Sequence, residues 1–209
     1  MPTTEPEAAL VERAIRRDAE AFGALYDRYF DRVYRYARLR VGNAADAEDV
    51  AAAVFLSAWR AIDRFSPKHD ASFAGWLFRL AHNAVVDRYR RARDDVSLDA
   101  EAPRSEEVTL LANPESLLEW RLTVDELRHA LAQLTEEQRE VVLLRFVEGL
   151  SAREVGDILG KQEGTVRGMQ FRAIEALRRI LVPQRGGSSR QIPPTKAGGL
   201  RGTPCGPHV

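Results

Sequence analysis

Apolar residues in this chain recur at spacings of three and four, the period of one face of an α-helix. Phe22, Leu25, Tyr26, Tyr29, Val33 and Tyr36 form the first clear stripe. Gly42-Asn43 punctuates it, and Asn43 or Asp46 is placed to cap the next helix. That helix runs to about Arg64 and holds the stretch Asp46 to Trp59, DAEDVAAAVFLSAW, where three acids are followed by three consecutive alanines. An ordinary surface helix would carry longer polar side chains there, so part of one face is bare. Ser66 to Ser72, SPKHDAS, reads as a loop by its proline and short polar residues. From about Phe73 to Arg93 a further helix carries Trp76, Leu77, Leu80, Ala84 and Val85 on one side, with Trp76 expected as a core aromatic.

Beyond Arg93 the pattern changes. Asp94 to Pro114 has no sustained period, is acidic and contains two prolines, which reads as a linker. Leu117 to Leu134 is helical again. Thr135-Glu-Glu-Gln138 and Ser151-Ala-Arg-Glu154 are capping boxes, in which a hydroxyl and a carboxylate or amide three residues on satisfy free N–H groups at a helix start. They predict helices beginning near 136 and 152, and a last helix covers about Gln162 to Leu181. From Pro183 onward, six glycines and five prolines in 27 residues read as a disordered tail. With no alternating strand pattern, the fold class is all-α: two small helical domains joined by an acidic linker.

Leu150 to Ile180 has the features of a helix-turn-helix. Val155 and Leu159 face inward, Gly156 allows the second helix to cross closely, and Gly160 supplies the positive φ of the turn. Val166 and Met169 pack the second helix back, and Ala173, Leu177 and Ile180 extend that stripe. Arg167, Gly168, Phe171, Arg172 and Glu175 are left on the outer face. A helix entering a major groove N-terminus first could offer Arg167 or Arg172 to guanine edges. Lys161 and the amides at the helix start suit phosphates. Phe171 suits either a thymine methyl or packing on a preceding helix, and the two stand about even.

The chain has 209 residues, 44% hydrophobic and 30% charged, a composition that folds. Its formal net charge of zero hides two basic islands. Arg79 to Arg93 holds five arginines against Asp87, and Lys161 to Arg179 holds five bases against Glu163 and Glu175. Between them, Asp94 to Glu119 carries eight acids against Arg104. Two basic surfaces with an acidic bridge point to a polyanion partner. One cysteine, Cys205, excludes an internal disulfide framework and most cysteine metal sites. No run is long enough for a membrane span and no signal-peptide layout opens the chain, so a cytoplasmic protein without membrane insertion is expected. No catalytic constellation, cofactor motif or metal-ligand spacing appears, and an enzyme is the least supported class.

The strings FGALYDRYFDRVYRYA, DAEDVAAAVFLSAWRAIDRF and FAGWLFRLAHNAVVDRYRRARDD resemble the second conserved region of the extracytoplasmic-function (ECF) type of bacterial RNA polymerase sigma factor. LTEEQREVVLLRFVEGLSAREVGDILGKQEGTVRGMQFRAIEALRRIL resembles that family's fourth region. The resemblance implies a region 2 domain over 10–93, an acidic linker over 94–116, a region 4 domain over 117–182 and a tail over 183–209. It implies that Asp46, Glu48, Asp49 and Phe55 dock the clamp helices of the polymerase largest subunit. It implies that Lys68, His69, Asp70 and Ser72 sit where a flipped minus-ten base is captured. Asn83 would help read that base, and Arg88, Arg90 and Arg91 would hold strand phosphates. Lys161, Thr165, Arg167, Gly168, Phe171 and Arg172 would meet the minus-thirty-five element. The linker would thread a basic channel of the polymerase, region 4 would meet the flap of the second-largest subunit, and an anti-sigma factor would hold the protein inactive.

The pattern also departs from the family. Ala52 and Ala53 stand where Gln-Glu is common. Gly168 and Met169 replace polar or basic residues, and Ile174 replaces a frequent arginine. The alternative from the residues alone is an operator-binding helix-turn-helix regulator with an N-terminal sensing or dimerisation domain. It would bind duplex DNA by itself, whereas a basic helix beside a loop suits single-stranded DNA.

Overall fold

The computed structural model describes residues 5–67, 72–95 and 129–181, with side chains described to residue 91 in the middle segment. The expected tail, most of the linker, and the start of the region 4 domain therefore lie outside the described residues. The N-terminal unit comprises α1 (Glu7–Ile15), α2 (Ala19–Val41), α3 (Ala44–Ala61) with a closing 3₁₀ turn (Ile62–Arg64), and α4 (Phe73–Asp95). The C-terminal unit comprises α5 (Glu136–Val142) with a π turn (Leu143–Val147), α6 (Ala152–Leu159) and α7 (Glu163–Leu181). A helical turn over 129–132 precedes α5.

Local chemistry explains most of the boundaries. Asp18 accepts from the Glu20 and Ala21 amides and starts α2, and α2 ends at Gly42 with φ 87°. Asn43 then caps α3 through the Asp46 amide. Both capping boxes form, at Thr135–Gln138 and Ser151–Glu154. The break between α1 and α2 was not expected: Arg17 takes φ 67° without being glycine. Its guanidinium reaches the Trp59 and Arg60 carbonyls and lies 2.8 Å from Asp63. These partners hold a backbone conformation that an isolated arginine disfavours.

Packing against α3 and α4 is what buries the stripe of α2. Leu25, Tyr29, Val33 and Tyr36 are at most 2% exposed, and Ala51, Val54, Ala58, Leu77, Phe78 and Val85 are fully buried opposite them. In the C-terminal unit Val155, Val166 and Ala173 are fully buried, with Met169 at 4%. Each fully buried Val or Met side chain contributes about 1.5–3 kcal/mol relative to exposure. Val155 is fully buried and Leu159 packs partly buried against the same core, and Ile158 joins them on the inward face of α6.

The two units also meet. Arg32, Tyr36 and Arg40, four residues apart on α2, face carboxylates of the C-terminal unit. Arg32 lies 3.2 Å from Glu148 and donates to the Glu148 carbonyl at 2.8 Å. The Tyr36 hydroxyl donates to Glu140, and Arg40 pairs with Glu136. Arg40 Nε also lies 2.9 Å from Glu140 Oε2, and His82 Nδ1 of α4 lies 3.0 Å from Glu140 Oε1. The side chains of Arg40 and Glu140 are 2% and 3% exposed. Burial pushes the Glu140 carboxyl up, but His82, the Arg40 charge and the Tyr36 hydroxyl outweigh it and hold it below its ordinary range. Burial raises the Glu148 carboxyl, and Arg32 only partly offsets this. Removing one partner from such a buried pair costs about 3–5 kcal/mol, although the pair itself adds little over apolar packing.

Candidate nucleic-acid interface and docking face

The bare patch of α3 divides in two. Ala51 is fully buried in the core, while Ala52 and Ala53 are exposed. Glu48, Asp49, Ala52, Ala53 and Leu56 line one outer face, with Leu56 at 50% exposure. Beside it α2 presents a row of aromatic rings. Tyr26 stacks on Phe30 with centroids 5.1 Å apart, and Phe30 stacks on Tyr34 at 6.2 Å. Phe55 is 5% exposed and supports this row from below, 4.6 Å from Tyr26, so its side chain backs the surface rather than forming it. The Tyr34 hydroxyl is raised chiefly by burial and then by the charge of Glu48. The face is therefore apolar at its centre and acidic at the α3 N-terminal end.

Asp46 has internal partners. It accepts from Arg88 at 2.6 Å and from Asn43 at 2.8 Å. Burial raises its carboxyl, but these two donors outweigh that and hold it low. The pair braces α3 against α4 and joins a residue expected at the polymerase surface to one expected at DNA. Along α4, Asn83, Arg90 and Arg91 are exposed, and Arg90 lies 3.2 Å from Asp87. Lys68, His69 and Asp70 lie outside the described residues. Ser72 opens α4, and its hydroxyl accepts from the Gly75 amide at 3.1 Å. Its own amide and hydroxyl donate to Glu154 of the C-terminal unit. Trp76 is partly buried, 5.1 Å from Phe65 and 5.7 Å from Phe73, as expected for a core aromatic.

On α7, Thr165, Arg167, Gly168, Phe171 and Arg172 all lie exposed on the side away from Val166, Met169 and Ala173. Phe171 is 68% exposed, so it is not packed into the described helices that precede it. Arg167 is held by Glu163 one turn earlier, and Lys161 pairs with Glu137 at 2.7 Å. Gly156 meets the turn closely: a Cβ built there would lie 2.5 Å from the Lys161 carbonyl oxygen. The Lys161 amide in turn donates to the Gly156 carbonyl at 2.8 Å. Gly160 has φ 64°.

Residues 25–94 match the family description Sigma-70 region 2, and residues 130–179 match Sigma-70, region 4. The chain is 31% identical over 178 residues to the ECF RNA polymerase sigma factor SigW of Bacillus subtilis, a span of 82% of this chain and 94% of that protein. The chain belongs to the ECF sigma factors. It is also 41% identical over 179 residues to the ECF sigma factor BldN of Streptomyces coelicolor, covering 82% of this chain but 64% of that longer protein. Among solved structures it resembles CnrH in complex with the cytosolic domain of CnrY, with a TM-score of 0.64 and 27% identity over 84% of this chain and 96% of that one. RpoE of Bartonella quintana, solved with the anti-sigma factor NepR, shares the fold at TM-score 0.63 and 20% identity, over 80% of this chain and 100% of that one.

As an ECF sigma factor the protein directs promoter-specific transcription initiation and is not an enzyme. Its N-terminal and C-terminal units are the region 2 and region 4 helical domains. Among the described residues, no helix is long and apolar enough to cross a membrane. The structure adds residues that sequence reasoning missed. Tyr26, Phe30, Tyr34 and Leu56 belong to the outer face, and Tyr26 had been counted with the core stripe. A signal was present, since Tyr26, Phe30 and Tyr34 recur every four residues beside Leu25, Tyr29 and Val33.

Proposed function

We propose that the α2–α3 outer face docks the clamp helices of the polymerase largest subunit, that the Ser66–Ser72 loop and α4 read and hold the melted minus-ten strand, and that the outer face of α7 reads the minus-thirty-five element. The observation that carries this reading is the division of exposed chemistry. An apolar and acidic face lies on α2–α3, basic side chains project from α4, and Arg167 and Arg172 project from α7. Specificity then arises from tethering two modest DNA contacts to one polymerase contact. In this reading region 2 spans 10–93 and region 4 spans 117–182. Region 4 also meets the flap of the second-largest subunit, the linker follows a basic channel of the polymerase, and an anti-sigma factor controls access to these surfaces. The protein works in the cytoplasm, where its polymerase is.

Run-off transcription with core polymerase, with and without the protein, tests the scheme. Tight binding to a duplex site without any promoter-specific initiation would overturn it. Changing Arg167 or Arg172 to alanine weakens use of minus-thirty-five sites by about 1–3 kcal/mol, read as promoter occupancy. Unchanged promoter preference would show that another face of α7 reads DNA. Restoring polar side chains by Ala52→Gln with Ala53→Glu raises core-polymerase affinity by about 0.2–1 kcal/mol, the usual worth of an exposed charge pair. Titration of labelled protein with core polymerase measures it, and a loss instead of a gain would make the alanines themselves the contact.

A further inference from the structure

We propose that Arg17 is a positioning residue for promoter opening: from the break between α1 and α2 it fixes the end of α3 and the 3₁₀ turn from which the minus-ten loop departs. The proposal rests on the reading above that the Ser66–Ser72 loop and α4 hold the melted strand. The backbone at this break suits glycine. The Asp18 amide donates to the Arg13 carbonyl at 3.2 Å and the Arg17 amide to the Ala14 carbonyl at 2.9 Å. This pair of bonds closes a helix through one left-handed residue, which is usually glycine. Among the described residues, Arg17 alone takes a positive φ without being glycine. Glycine would make the same turn without the steric cost of a Cβ, so the reason for an arginine lies in what its guanidinium touches. A side chain persists in such a conformation only where its surroundings hold it, and such residues gather at functional positions.

Its contacts converge on the last turn of α3. The guanidinium donates to the Trp59 carbonyl and, at 3.2 Å, to the Arg60 carbonyl, two of the terminal acceptors that a helix leaves unbonded. It lies 2.8 Å from Asp63 in the 3₁₀ turn, and this bond is the chief reason the Asp63 carboxyl sits below its ordinary range. It also lies 5.5 Å from the centre of the Trp59 ring, on which Phe22 of α2 packs at 4.9 Å. The Arg17 and Asp63 side chains are 41% and 45% exposed, so their pairing adds little to stability and acts by fixing geometry. Two residues past Asp63, Phe65 is buried and donates its amide to the Ile62 carbonyl at 3.1 Å. Its ring meets Phe73 edge-on at 5.9 Å and Trp76 at 5.1 Å, both on the first turn of α4. The path from the guanidinium through the 3₁₀ turn and Phe65 to α4 is therefore continuous. Ser66 and Ser72, the two ends of the loop, directly adjoin Phe65 and Phe73. Without the guanidinium the end of α3 is released and these loop ends shift, while fully buried Ile62 keeps the core beneath them packed.

The test compares the full unmodified chain with Arg17→Gly, each joined to core polymerase. Glycine keeps the turn and removes only the guanidinium. The probe is a duplex promoter that the unmodified holoenzyme selects from a randomised library, together with single-base variants of its minus-ten segment. Permanganate reactivity of unpaired thymines reads opening, titration of labelled protein reads core-polymerase affinity, and thermal unfolding reads stability. Arg17→Gly is expected to open the selected promoter roughly fivefold less or worse, the scale of a displaced positioning group, and to discriminate less among the minus-ten variants. Its polymerase affinity and unfolding temperature should not fall. If Arg17→Gly does unfold at a lower temperature, Arg17→Asn, which also tolerates the left-handed region, must reduce opening and discrimination with its unfolding temperature unchanged, or the proposal falls. Equal opening and equal discrimination in Arg17→Gly overturn it. Weaker polymerase binding with discrimination intact also overturns it, by placing Arg17 in docking instead. If the unmodified protein opens no promoter with core polymerase, the proposed function fails; if it opens one and Arg17→Gly matches it, only the role of Arg17 falls.

Discussion

Replacing Gly156 by valine is expected to disrupt the helix-turn-helix while the region 2 helices stay folded. The added Cβ would sit 2.5 Å from the Lys161 carbonyl oxygen, a backbone atom that cannot swing aside as a flexible side chain does. That backbone is fixed from both ends. Lys161 donates its amide to the Gly156 carbonyl at 2.8 Å, and Gly160 between them is committed to φ 64°. Forcing even ordinary extra methylenes into a packed contact costs about 1–3 kcal/mol, and a β-branched side chain against backbone belongs at the upper end. A domain this small has only a few kcal/mol of margin. Hydrogen exchange read by segment should show lost protection across Ala152–Leu181 and retained protection across Ala19–Ala61. Alanine should give a milder form of the same pattern. Full protection of α6 and α7 in the valine variant would mean that the close crossing does not exist in solution.

Gly156 was legible because one residue type answers one local demand, a close crossing seven residues before the second helix begins. The capping boxes, the positive-φ glycine at 160 and the inward stripe of α7 are of the same kind, since cause and effect lie within a few residues. The exposed face of α7 followed from that stripe by subtraction. What the sequence did not disclose was set over longer distances. Arg32, Tyr36 and Arg40 share a face of α2, but their partners lie about a hundred residues away, and nothing local marks Glu140 as the acid that will be buried. Asp46 reads as a cap or a polymerase-facing acid, and nothing local points to Arg88, its partner 42 residues on. The π turn at Leu143–Val147 carries apolar residues on nearly every side, so periodicity could not separate it from ordinary helix. Its widened turn leaves Phe146 53% exposed beside a buried Leu143 and Leu144. The same blending put Tyr26 in the core, because aromatic rings on two adjoining faces of α2 obey one spacing rule.

Leu56→Asp is expected to cost the protein most of its hold on core polymerase. Leu56 is 50% exposed, on the same face of α3 as Ala52 and Ala53 and next in the chain to Phe55, which backs the Tyr26–Phe30–Tyr34 row. With the two alanines too short to reach far, Leu56 and the tyrosines supply the apolar area that a partner can bury. Truncating or charging a central apolar anchor typically costs about 2 kcal/mol or more, a loss of roughly thirtyfold in affinity. Stability should change little, since a half-exposed side chain on a helix surface contributes a small part of the core and surface substitutions are usually within about 0.5 kcal/mol. Equilibrium titration of labelled protein against core polymerase, beside thermal unfolding of the same sample, separates the two effects. Arg60, exposed on the next turn of α3, provides the control, because Arg60→Ala removes a charge without touching the aromatic row. Should Leu56→Asp bind polymerase like the unmodified protein, the docking face is not α2–α3. The acids Glu48 and Asp49 would then have to be placed by their solvation alone, and the exposed aromatic row would need another partner.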